Sequence, residues 1–88
     1  MAEGLSWEPA TKKKFDTMIE RIPLFHREIA KTVTVKKAEI NALKRGSNMI
    51  EESDIITAFL TEVPKAFYSL MIRLFDEVGF DYKKYLSQ

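Results

Sequence analysis

Leu24-Phe25-His26-Arg27-Glu28-Ile29-Ala30-Lys31-Thr32-Val33-Thr34-Val35-Lys36-Lys37-Ala38-Glu39-Ile40-Asn41-Ala42-Leu43-Lys44-Arg45-Gly46 is the stretch on which the fold turns. Its ends read as helix, but Thr32-Val33-Thr34-Val35 alternates and is β-branched, as strands are. Four such residues between strong helix formers, with no turn signal on either side, do not make an isolated strand. The segment is therefore read as one helix, about residues 24–45, with a strained middle or a bend at 32–35. Phe25, Ile29, Val33, Ile40 and Leu43 recur at three- and four-residue multiples and form its apolar stripe, interrupted by Lys36. Lys44 and Arg45 suit the negative end of the helix dipole, and Gly46 supplies the left-handed stop.

Working outward, Pro23 disfavours helical angles at Ile22 and opens the next helix. The preceding helix spans about residues 7–21, with Ser6 as its N-cap and Pro9 where a missing N–H costs little. Trp7, Thr11, Phe15, Met18 and Ile22, with Ile19 beside them, form its buried face, and Lys12, Lys13 and Lys14 its outer side. Residues 1–5 read as a disordered lead-in. After the Gly46-Ser47-Asn48 loop, Met49 and Ile50 lead into a third helix, about 52–62, whose N-terminus gathers Glu51, Glu52 and Asp54. Its apolar side is Ile55, Ile56, Phe59, Leu60 and Val63. Pro64 separates it from a fourth helix, about 65–78, carrying Phe67, Leu70, Met71, Leu74, Phe75 and Val78. Gly79 stops that helix, Phe80 folds back on Phe75, and Asp81 caps a last turn with Tyr82, Tyr85 and Leu86. The expectation is an all-α fold of four helices and a C-terminal turn, forming a single domain over 1–88 with no credible sheet.

Eighty-eight residues support one modest core. The chain has no Cys and one His, which excludes disulfides, thiolate nucleophiles, iron–sulfur ligation and Cys-containing zinc sites. Residues 12–45 hold ten Lys/Arg against four acids, whereas residues 46–88 hold four against seven. A basic first half suits an anion or an acidic partner, and equally a solvated helix face. No apolar run reaches the ~18 residues of a membrane span and no signal pattern opens the chain, so no membrane role is expected and the cytoplasm is the expected compartment.

The chemical inventory is short. His26 at a helix start lacks an orienting partner or a cleft and reads as structural. Glu51, Glu52 and Asp54 lack the spacing of a calcium loop, and Met18, Met49 and Met71 read as core fillers. No catalytic, cofactor-binding or metal-ligating residue is expected. In a straight helix Arg27 and Glu39 lie about 18 Å apart and roughly 120° around the axis, so they meet only if the helix breaks near 32–35; otherwise each faces a different neighbour.

Several of these residues form a recognisable order: Ser6-Trp7-Glu8-Pro9-Ala10, then Arg21-Ile22-Pro23-Leu24-Phe25-His26-Arg27, then Glu39-Ile40-Asn41-Ala42 closing at Gly46, then Ile50 ahead of Asp54-Ile55 and Ala58. In that order, over about residues 6–62, the chain resembles the small C-terminal domain of the B subunit of light-independent (dark-operative) protochlorophyllide reductase, a nitrogenase-like oxidoreductase of chlorophyll synthesis. The cluster ligands and chromophore cavity of that enzyme lie in large domains absent from these 88 residues. The resemblance thus implies a non-catalytic accessory module with a protein partner, either a nitrogenase-like or redox protein or a second copy of itself. The signature positions it implies are Trp7, Ala10, Ile22, Pro23, Phe25, Arg27, Glu39, Ala42, Gly46 and Ile50. Trp7, Ile22 and Phe25 are expected to clamp the junction of the first two helices. Lys12, Lys13, Lys14 and Arg27 are the candidate partner surface, and residues 63–88 fall outside the resemblance.

A second reading comes from another class. A long central helix, a short loop, an Ile and then acids opening a short helix is similar to the second half of a histone-like fold. That similarity implies a dimerising or DNA-binding protein, for which the ten basic residues of 12–45 would contact phosphates.

Overall fold

The computed structural model describes residues 5–86. Of the lead-in expected over residues 1–5, all but Leu5 lies outside the described residues, and Leu5 is half-buried against the core. The order is β1 (Ser6–Trp7), α1 (Pro9–Arg21), α2 (Leu24–Lys44), β2 (Met49–Ile50), α3 (Glu52–Glu62), a 3-10 turn (Lys65–Phe67) running into α4 (Tyr68–Val78), and a short α5 (Lys83–Leu86). The all-α expectation holds, with one addition. Two-residue β1 and β2 pair in parallel, Ser6 opposite Met49 and Trp7 opposite Ile50, beneath the resolution of any periodicity argument.

That pairing corrects the start of α1. Ser6 and Trp7 belong to the bridge, and Glu8 is the N-cap: its Oε1 accepts the Thr11 N–H at 3.0 Å and also the Thr11 hydroxyl. These bonds hold the Glu8 carboxyl below the usual carboxylate range.

Thr32–Val35 is continuous helix, so no isolated strand and no helix break occurs there. The β-branched residues are accommodated because α2 is long and its inner side packs on α3. Gly46, at φ 79°, ends it: the Gly46 N–H donates to Leu43 O and the Ser47 N–H to Ala42 O, both at 2.9 Å. Gly79 repeats the device at φ 86°, with the Gly79 and Phe80 N–H groups both donating to Phe75 O. Phe80 folds back on Phe75 as expected, ring centroids 6.0 Å apart.

The core is built on a relay of rings through three helices and the C-terminal segment. Trp7 packs on Phe15 (5.2 Å), Phe15 on Phe59 (5.9 Å), Phe59 on Phe75 (5.9 Å), and Tyr82 stacks on Phe75 at 5.4 Å. Met18, Ile50, Ile55, Ile56 and Met71 fill the space around them. The α1 stripe of Thr11, Phe15, Met18, Ile19 and Ile22 is buried as its spacing requires.

Phe25 overturns the expected junction clamp: its ring is 93% exposed. The junction is held instead by buried Ile22 and by Arg27, whose guanidinium donates to Glu20 O at 2.9 Å and Ile22 O at 3.1 Å. Pro23 interrupts the backbone ladder there, which leaves α1's last carbonyls open, and a cation is the favoured donor at that end.

Candidate interaction face

α2 has two apolar sides, separated by half a turn of the 3.6-residue period. The inner side carries Ala30, Thr34, Ala38 and Ala42 at successive four-residue steps; Ala38 and Ala42 are fully buried. Such small side chains let α3 lie close, and they admit Asn41, whose amide donates to Asp54 O and Thr57 Oγ1. An arginine closes each end. Arg27 caps α1, and Arg45 grips Asp54 with two bonds, Nε to Oδ1 at 3.0 Å and an outer nitrogen to Oδ2 at 2.6 Å. Asp54 is 2% exposed and also accepts the Glu51 N–H at 2.8 Å, so one carboxylate caps α3 and fastens it to α2. The paired carboxylate raises the Arg45 pKa above its already high ordinary value.

The outer side is the stripe read from the sequence: Phe25, Ile29, Val33, Ile40 and Leu43. The structure leaves it largely uncovered, with Ile29 68%, Leu43 61% and Ile40 41% exposed. Beside its N-terminal half runs an apolar groove of about 230 Å³, walled on α2 by His26, Ile29 and Val33 and on the far side by Val63, Phe67 and Leu70. His26 stands at its edge, 5.9 Å from the Phe67 ring. On the flank of the stripe, Glu28, Lys31, Lys36 and Glu39 border a shallow depression.

The remaining sequence candidates are distributed as follows. Trp7 packs on Phe15 with the Lys12 ammonium 5.8 Å from its ring centre, and Ile50 is fully buried beneath the bridge. Ala10 and Lys13 are exposed, and Lys12 pairs with Asp16 at 2.8 Å. Lys14 is corrected from surface to internal tether: it reaches Glu52 at 3.0 Å and Gly79 O at 3.1 Å, tying α1 to α3 and to the end of α4. Arg27 and Glu39 do not meet, and Arg27 faces α1 rather than a partner. Of the ten basic residues in 12–45, Lys12, Lys14, Arg21 and Arg45 are in ion pairs and Arg27 is spent on carbonyls. Lys31, Lys36, Lys37 and Lys44 are scattered around α2 and do not line one phosphate-spaced row.

Two features of the site escape a search for large apolar residues: the four-step Ala30–Thr34–Ala38–Ala42 row, and the nine-residue separation of Arg45 from Asp54. Among the described residues, no group of three His, Asp or Glu side chains converges as a metal site would require, and no single helix is long and apolar enough to cross a membrane.

The family described as "Protein of unknown function (DUF2621)" matches residues 3–88, and the chain belongs to it. The match includes the last helices, beyond residue 62. No curated protein and no solved structure matches the chain.

Proposed function

We propose that this member of the DUF2621 family is a non-catalytic helical interaction module of the cytoplasm, docking through the outer side of α2. The observation that carries this reading is the uncovered stripe of Phe25, Ile29, Ile40 and Leu43 on the longest helix. Scattered exposed apolar residues are ordinary on a soluble protein, but large ones sharing one side of a helix beside an apolar groove form the pattern of a binding surface. The absence of Cys leaves the chain without thiolate or iron–sulfur chemistry of its own, and its one His, His26, packs against the Phe67 ring. The resemblance over residues 6–62 gives the module a setting, as an accessory to a nitrogenase-like or other redox protein.

The test is affinity capture from host lysate with the wild-type chain beside an Ile29→Asp/Leu43→Asp variant. Redox proteins retained by the wild type and lost with the variant support the accessory setting, and identical captured sets from the two chains, the host's own copy of this chain counted among them, reject the docking face. The histone-like reading predicts salt-dependent binding to generic duplex DNA. The internal engagement of half of the basic residues in 12–45 favours the protein-docking reading over it.

A further inference from the structure

We infer that the occupant of the α2 outer side is a second copy of this chain, packed near-antiparallel through α2. This rests on the docking reading above and names its partner. Two observations lead to it.

The first is the symmetry of the stripe. Phe25, Ile29 and Val33 step outward from the helix centre in one direction, and Lys36, Ile40 and Leu43 repeat nearly the same steps in the other. A two-fold axis crossing α2 near Thr34 and Val35 sets Ile29 against Ile40 of the second copy and Phe25 against Leu43 of the second copy. Such an arrangement is isologous: each contact occurs twice, and the surface closes on itself without leaving an apolar end exposed. The groove fits the same register. It lies beside the N-terminal half of α2, which an antiparallel copy covers with its C-terminal half, so Ile40 of the second copy is the side chain set against its Ile29 and Val33 wall.

The second is area. A standard interface takes about 800 Å² from each partner, about two-thirds of it apolar in homodimers. The exposed parts of Phe25, Ile29, Ile40, Leu43 and Phe67 offer roughly 500–600 Å² per copy, which matches that apolar share.

Sedimentation of the wild-type chain from micromolar to millimolar concentration tests the inference, together with cross-linking in host cells through p-benzoylphenylalanine in place of Phe25. The expected result is a monomer–dimer equilibrium and a cross-link of dimer mass. Ile29→Asp and Ile40→Asp, with unchanged helical circular dichroism, should each weaken the dimer by at least about 30-fold. On oxidation, Phe25→Cys/Leu43→Cys chains should link into dimers through the unlike positions, whereas Phe25→Cys alone should not link. A dimer that withstands both aspartate variants overturns the assigned surface, and Phe25→Cys chains that link as readily as the double variant overturn the antiparallel register. A wild type that stays monomeric and cross-links to a different protein overturns the second copy as occupant while leaving the docking reading intact. A monomer that cross-links to nothing overturns both.

Discussion

The inner and outer sides of α2 are both apolar and both regular, yet one is buried from Thr34 to Ala42 and the other is open. The inner side is made of small residues, Ala30, Thr34, Ala38 and Ala42, with an arginine bonded at each end. The outer side is made of large ones, Phe25, Ile29, Ile40 and Leu43. Size separates them: small side chains permit a close helix contact within one short chain, whereas large ones need a deep opposing layer that 88 residues do not provide. Apolar periodicity therefore identifies a side that seeks cover, and leaves open whether the same chain supplies it.

The sharpest way to break this comparison is to make the inner side resemble the outer one. Ala38→Leu inserts a large side chain where no space exists and should lower unfolding free energy by about 2–3 kcal/mol in urea melts. An unchanged midpoint would mean that α2 and α3 are loosely packed. Next in size is Arg27→Ala, which strips the donors from the Glu20 and Ile22 carbonyls and should cost about 1–1.5 kcal/mol. A cost of 3 kcal/mol or more, the signature of breaking a buried ion pair, would point to a carboxylate partner instead.

Thr34→Val should go the other way. Thr34 Oγ1 is the one buried side-chain polar atom without a hydrogen-bond partner among the described residues, so replacing it with a methyl group should stabilise the chain by about 1 kcal/mol. On the outer side, Phe25→Ala should change the stability of the monomer, measured at low protein concentration, by less than ~0.5 kcal/mol while weakening self-association. An equal loss in both measurements would place Phe25 inside the fold. Least in size is the acid limb. The Glu8 pKa is depressed in the folded state, so its contribution is present above the ordinary carboxylate pKa and is lost as pH falls through the lower, folded value. Glu8→Gln should flatten that part of the pH–stability curve, away from the α2 faces altogether.

The helices were legible from sequence because their breaks are chemical. Pro23, Gly46, Pro64 and Gly79 fix the boundaries, and α3 occupies the expected span of 52–62. The stripe Phe25–Ile29–Val33–Ile40–Leu43 was equally legible, but the assumption that it faces inward was not safe. Weighing residues by bulk hides Ala38 and Ala42, which contribute little transfer free energy yet lie fully buried on the side of α2 that packs on α3. The roles of Arg27 and Lys14 were hidden for another reason: each acts on backbone carbonyls at a helix end, and such acceptors leave no residue-type signal. The β1–β2 bridge is two residues long on each side, too short for alternation to register.

That bridge also has a bearing on the order in which the chain assembles. The Ser6 and Asn48 groups it joins are 42 residues apart, whereas α2 and α3 meet across a short loop locked by Arg45 and Asp54, nine residues apart. Closing the longer loop costs more chain entropy, and local contacts form first. The α2–α3 hairpin is thus the expected early structure, with the N-terminal edge zipping on after the rate-limiting barrier. Interactions formed after that barrier govern how fast a protein comes apart and not how fast it forms. Shortening the chain to begin at Glu8 should accordingly quicken unfolding and leave the folding rate nearly as it was, making the Ser6–Trp7 edge a latch on the lifetime of the native state.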